Sequence, residues 1–244
     1  ELPPPLAPWF RDDARFSAAQ DVGILAFEYY CPDTCVRAAD IEAFHGTPGR
    51  YTNGRGQENV TYSSDAEDAV SMAMSSFTRL MARCGLAYPE VGRLEVGSES
   101  AVDRAKSIKS FLMHFFEADD HHDVEGVDTY NACYGGTNAL INTINWVQSR
   151  GWNGKYGVVI CSDCSVHPDP AAISSVGASS VAMLVGPRAP FVMEPSRVTF
   201  IKHAWDFYRP VGWPNNDALM DVSVADKQYE QALMWCLARF SENM

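Results

Sequence analysis

The chain has 244 residues, 46% of them hydrophobic and 20% charged, with a net charge of −12, values ordinary for a folded chain with ample core. That acidity excludes a general nucleic-acid or anionic-membrane surface, and no run of 18 apolar residues is present to insert as a membrane helix. The seven cysteines are scattered through core-like segments, which suits a reducing compartment better than a disulfide framework.

Residues 1–20 open with Pro3-Pro4-Pro5 and Pro8 and read as an extended arm ahead of one α/β body, residues 21–244. A chain starting at Glu1 reads as a processed or trimmed product, favouring the mitochondrial matrix over the cytoplasm. The first strand is expected over Asp21–Tyr30, and helical spacing of apolar residues over Cys35–Phe44. A glycine-rich loop, Gly46–Gly56, carries Arg50 and Arg55 but lacks the Walker spacing. Ser64 and Glu67 form a capping-box pair for a helix running to Cys84, with Gly85 as its stop. In the strand Val91–Gly97, Glu95 is an acid within an apolar run; it needs either Arg93 as an ionic partner or a chemical task, and spacing leaves both readings open.

Asp103–Glu117 is expected as a helix, and Ala118-Asp-Asp-His-His-Asp123 as a solvated loop, since consecutive residues rarely converge on one metal ion. Cys161-Ser-Asp-Cys164 has CxxC spacing but no second pair, so no metal is expected there either. Asp128–Thr137 follows, with Cys133 between a strand end and the paired Gly135 and Gly136 that open an apolar helix. A thiol at a helix N-terminus has its pKa lowered by the dipole, and the glycine N–H groups can point at an oxyanion. An ordinary buried cysteine fits the same spacing. Strands follow over Tyr156–Ser162, Val176–Val185, Phe191–Met193 and Arg197–Ile201, with a loop at Asp163–Ser175, a turn at Gly212–Asn216 and a final helix Val224–Phe240. Alternation of strands and helices makes the class α/β.

Several stretches lie in one order along the chain: Asp21-Val-Gly-Ile, Arg50-Tyr-Thr-Asn-Gly-Arg-Gly-Gln57, Gly92-Arg-Leu-Glu-Val-Gly-Ser-Glu99, Asn131-Ala-Cys-Tyr-Gly-Gly-Thr137, Met183-Leu-Val-Gly-Pro187 and His203-Ala-Trp-Asp-Phe-Tyr-Arg-Pro210. In these the chain resembles the 3-hydroxy-3-methylglutaryl-CoA synthases of the thiolase superfamily. The resemblance implies the N-terminal half of a thiolase-like five-layer αβαβα sandwich, with acetyl-CoA and acetoacetyl-CoA as substrates and no separate cofactor. It implies that Cys133 takes up the acetyl group, Glu95 is the general acid/base and His203 positions the second substrate's carbonyl. Tyr134 and Asp163 match near-site positions, while Arg209 and Arg50 are candidates for phosphate contacts.

Two departures from that pattern matter. Ala172-Ile-Ser-Ser-Val-Gly177 replaces the family's Ala-Arg-Pro-Thr-Gly-Gly, and His167 replaces a tyrosine. The family's second α/β half also has no counterpart in this sequence, so a second chain supplying it, or a homodimer mate, is expected to cover exposed apolar surface. The competing expectation is a thiolase-fold subunit that assembles without turning over. A ketoacyl-synthase or thiolase activity accounts for Cys133 and His203 but not for Gly92-Arg-Leu-Glu-Val-Gly97.

Overall fold

The computed structural model describes residues 20–167, 172–210 and 218–243. The expected arm (apart from Gln20), Pro168 and Pro170 of the expected loop, and the turn at 212–216 lie outside them. In chain order the elements are β1 (Gly23–Tyr30), β2 (Cys35–Arg37), α1 (Ala38–His45), α2 (Thr52–Arg55), β3 (Asn59–Thr61), α3 (Ala69–Cys84), β4 (Val91–Gly97), α4 (Ile108–Leu112) and α5 (His114–Glu117). They continue with β5 (Asp128–Thr129), α6 (Gly135–Val147), β6 (Tyr156–Ser165), β7 (Gly177–Gly186), β8 (Phe191–Val192), β9 (Phe207–Tyr208), β10 (Leu219–Met220) and α7 (Val222–Asn243). The chain divides into two compact units, one of residues 20–36, 59–164 and 177–193, the other of the described parts of 37–58, 165–176 and 194–243.

The first unit is built on a six-stranded mixed sheet in the order β5-β4-β6-β7-β1-β8. β4 runs parallel to both β5 and β6, whereas β1 is antiparallel to β7 and β8. The period-2 alternation of strands assigns the faces. Leu94, Val96, Val158, Ile160, Ala182 and Leu184 pack with α3 and α4, while Val159 and Val185 pack with Ala139, Ile144 and Val147 of α6. Phe77 of α3, fully buried, contributes roughly 1.5–3 kcal/mol by that burial alone. The helices thus cover both faces of the sheet, and α6 shares its face with Arg93 and Glu95, the alternate residues of β4.

Several boundaries differ from the sequence reading, each for a local reason. Cys35–Arg37 is strand, so α1 begins only at Ala38. The glycine loop contains the short helix α2, and the buried Glu42 carboxylate gathers it by accepting the N–H groups of Gly49, Tyr51 and Thr52 at 2.6–2.8 Å. Those bonds hold the Glu42 carboxyl below its usual range, the bond from Thr52 most of all. Helix α3 starts at Ala69 because Asp68 and Ser71 cap it reciprocally, whereas Ser64 and Glu67 close a separate turn. The expected helix 103–117 begins only after Ser107, since Asp103 folds back onto the N–H groups of Ala105 and Lys106; Met113 then divides it into α4 and α5. β6 continues past Ser162 to Ser165, taking Asp163 out of the expected loop. Arg197–Ile201 forms no strand, and α7 is longer than expected at both ends. The helix at Gly85 stops as expected, with a left-handed φ of 59°.

Candidate active site

Three adjacent parallel strands deliver three reactive side chains at their carboxyl ends, the edge where open α/β sheets place ligand sites. Glu99 follows β4, Cys133 follows β5, and Asp163 lies near the end of β6. The loop bearing Cys133 is short. Thr129 pairs with Gly97 of β4, and α6 begins at Gly135. Between them Ala132 adopts φ +42°, a left-handed conformation that is strained for a residue with a Cβ and persists only where the flanks hold it.

The paired glycines serve close packing. A Cβ on Gly135 would meet the Thr129 carbonyl at 2.7 Å, one on Gly136 the Cys161 Sγ at 2.5 Å, and one on Gly97 the Gly136 nitrogen at 2.4 Å. Only three glycines allow β4, the Cys133 loop and α6 to touch in this way. The Gly135 N–H also donates to the Ala132 carbonyl at 3.2 Å. That donor is therefore engaged within the turn, a correction to the expectation that it points at an oxyanion.

The carboxylate beside the thiol is Glu99. The Cys133 S–H donates to Glu99 Oε1 at 3.2 Å. Asp163 organises the same corner, with Oδ1 accepting from the Glu99 N–H at 2.7 Å, Ser100 Oγ at 3.0 Å and Ser98 Oγ at 3.2 Å. Burial raises the Asp163 carboxyl above its ordinary range, opposed by those bonds and reinforced by Glu99. Cys133 is exposed at its outer side, yet the protein around it and the Glu99 carboxylate push the thiol up to about 11. This reverses the expectation that the helix dipole lowers it. A partial charge at the helix end is outweighed by desolvation and a full negative charge in hydrogen-bond contact.

Glu95 is a different kind of acid. It is fully buried, and its Oε1 accepts from Arg93 Nη2 at 2.5 Å. Arg93 is therefore its ionic partner, an arrangement compatible with an acid/base role. Glu99 stands two residues beyond Gly97, the last residue of β4, at the ligand-facing edge of the sheet.

The remaining expected residues have these environments. Tyr134 is exposed and precedes the first residue of α6. His203, Arg209 and Arg50 belong to the second unit. The His203 ring is exposed and meets Trp205 edge-on at 5.7 Å. Arg50 is exposed, its guanidinium 5.8 Å from the Tyr51 ring centre. Arg209 is half-buried and donates to Ser165 Oγ at 3.3 Å, with buried His167 Nε2 at 3.4 Å. Its guanidinium is thus engaged within its own unit. Among the described residues no group of three or more His, Cys, Asp and Glu is arranged to hold a metal ion, and no helix is long and apolar enough to cross a membrane.

Residues 18–190 match the family model described as the hydroxymethylglutaryl-coenzyme A synthase N-terminal part. The chain is 43% identical over 225 residues to the hydroxymethylglutaryl-CoA synthase erg13A of Aspergillus fumigatus, covering 92% of this chain and 48% of that protein. It is 41% identical over 227 residues to the mitochondrial hydroxymethylglutaryl-CoA synthase of Mus musculus, covering 92% of this chain and 44% of the relative. The chain therefore spans about half the length of the curated relatives it matches. Among solved structures, MvaS in complex with 3-hydroxy-3-methylglutaryl coenzyme A aligns with a TM-score of 0.81 at 28% identity, over 91% of this chain and 53% of that one. An HMG-CoA synthase complexed with CoA aligns with the same TM-score at 19% identity, a likeness of fold alone.

Proposed function

The chain belongs to the hydroxymethylglutaryl-CoA synthase family, and on that premise we propose that it carries the acyl-transfer centre of an enzyme condensing acetyl-CoA with acetoacetyl-CoA. The observation that carries the proposal is the Cys133–Glu99 contact at 3.2 Å at the carboxyl ends of parallel strands. The Cys133 thiolate attacks the acetyl-CoA carbonyl, giving an acetyl thioester and releasing CoA thiol. Glu95, the acid/base that the resemblance implies, removes a proton from the acetyl methyl group, and the resulting carbanion attacks the ketone of acetoacetyl-CoA. His203 donates to that carbonyl, Glu95 returns the proton to the alkoxide, and water hydrolyses the thioester. Glu99 is the carboxylate that faces the resting Cys133 thiol. CoA thioesters are the substrates, and no separate cofactor is required.

The relatives are about twice the span of this chain, so the proposal includes residues beyond it that complete the acetoacetyl-CoA site. A continuing polypeptide or a second chain can supply them. Intact mass after incubation with acetyl-CoA tests the proposal: a gain of one acetyl group, mapped to Cys133 and released by hydroxylamine, is the expected result. No acetyl on Cys133 with the complementing half present sinks it.

A second reading is an assembling subunit without turnover. The stretch Ala172-Ile-Ser-Ser-Val-Gly177, which departs from the family's pattern, favours it. It predicts that Cys133→Ala leaves assembly and the assembly's function unchanged, together with no acetyl uptake.

A further inference from the structure

Glu95, the acid/base of the reaction scheme, is fully buried, and its two oxygens have different surroundings. Oε1 accepts from Arg93 Nη2 at 2.5 Å, whereas Oε2 accepts from the neutral Thr129 hydroxyl at 3.3 Å and the Asn142 amide at 3.4 Å. The other terminal nitrogen of Arg93, Nη1, donates to Glu125 Oε2 at 3.2 Å. Glu125 is exposed, and ion pairs at a surface are usually loosely held. This one is fixed through backbone and side chain alike. The Glu125 N–H donates to the Gly92 carbonyl at 2.9 Å, and its carbonyl accepts from the Leu94 N–H at 2.9 Å. Lys109 Nζ donates to the carbonyls on either side of it, Val124 at 2.8 Å and Gly126 at 2.7 Å. Glu125 Oε1 accepts from the Trp146 indole N–H at 3.0 Å.

A carboxylate that takes a proton and later returns it must not be committed to either form. Burial alone favours the neutral acid, and a cation in contact favours the carboxylate at the expense of basicity. We infer that Glu125, acting through Arg93, is a positioning residue of the reaction. It takes up part of the guanidinium's charge, so that Arg93 orients Glu95 through Oε1 and leaves Oε2 basic enough to take the methyl proton. The other charges of this cluster are Lys109 of α4 and Asp128 of β5, and the test leaves both in place. The inference rests on the reading of Glu95 as the acid/base.

The test uses the intact chain, acetylated at Cys133 from acetyl-CoA, and follows solvent deuterium exchange into the acetyl methyl as a function of pH. Glu125→Gln leaves the charge of Arg93 to Glu95 alone. The acid-side midpoint of exchange should then fall by about half a unit to one unit, and the plateau rate should drop roughly two- to threefold. Arg93→Gln keeps a donor for Oε1 without the cation, and the midpoint should rise by about 1–3 units. Opposite signs are the mark of a charge effect. Disturbed packing slows exchange in both variants and moves neither midpoint; that result, or shifts of one sign, overturns the inference. If Arg93→Gln does not fold, Glu125→Asp takes its place, since it keeps the charge on a shorter side chain. A midpoint restored toward wild type supports the inference, and one as low as in Glu125→Gln overturns it. The NMR resonance of the Glu95 side-chain carboxyl carbon, assigned by its loss in Glu95→Gln, titrates without any substrate. The expected shifts there, in a protein that takes up no acetyl, keep the charge balance and remove the synthase reading. Their absence overturns the inference whatever the acetyl uptake.

Discussion

Replacing Glu99 by Gln removes a negative charge whose oxygen lies 3.2 Å from the Cys133 sulfur. The thiol is exposed on one side, so the water-like limit is the appropriate scale: unit charges at that distance interact by about 1.3 kcal/mol, or about one pKa unit. The thiol should fall from about 11 to roughly 10, and the difference should shrink as salt is added. At pH 8.5 the thiolate population then rises about tenfold and the alkylation rate roughly three- to fourfold. The acetyl chemistry is read on a second variant, Glu95→Gln. With Cys133 acetylated in wild type and variant, solvent deuterium exchange into the acetyl methyl reports proton removal directly, and loss of the base should slow it about 10²- to 10⁴-fold. Wild-type methyl exchange in Glu95→Gln refutes the assignment of Glu95 as the base. Slower alkylation in Glu99→Gln refutes the electrostatic account of the raised thiol.

The packing argument predicts that Gly136→Ala destabilises the first unit, by about 1–3 kcal/mol in urea melts, since its Cβ would lie 2.5 Å from Cys161 Sγ. Cys161→Ala in the same chain should recover much of that loss, whereas additivity of the two changes would remove the proposed clash. In the second unit, Glu42→Gln should speed trypsin cleavage at Arg50 and Arg55 by roughly tenfold or more, because the gathered N–H groups of Gly49, Tyr51 and Thr52 lose their anionic acceptor. The Glu42 carboxyl is held below its usual range. Its contribution to the loop is therefore complete above the ordinary glutamate pKa and is lost as the pH falls through the lowered value. Amide exchange of Tyr51 and Thr52 that is equally protected on both sides of that window would contradict this.

Much of the architecture was legible because it is written in local pattern. Short apolar runs located β1, β4, β6 and β7, helical spacing and an apolar helical run located α3 and α6, and Gly85 marked a helix end through its left-handed backbone. The boundaries that moved were places where two local solutions compete. Asp68 with Ser71 makes as good a capping box as Ser64 with Glu67, and Glu67 is drawn aside by the Tyr30 hydroxyl. Asp103 caps a turn one segment ahead of α4 for the same reason.

The chemistry of the corner divides along the same line. Sequence by itself determined that a cysteine stands between a short strand and a glycine-started helix, that an acid interrupts β4, and that Arg93 lies on the same strand face as Glu95. These follow from residue order and the period of a strand. Which carboxylate meets the thiol was decided only in three dimensions. The parallel pairing of Gly97 with Thr129 carries the Cys133 loop to the end of β4, where Glu99 stands, while the alternation of β4 turns Glu95 toward α6 and into its ion pair. The thiol's pKa was decided the same way. Burial raises it most, and the carboxylate that adds to the rise stands 34 residues away in sequence, brought into contact only by the sheet.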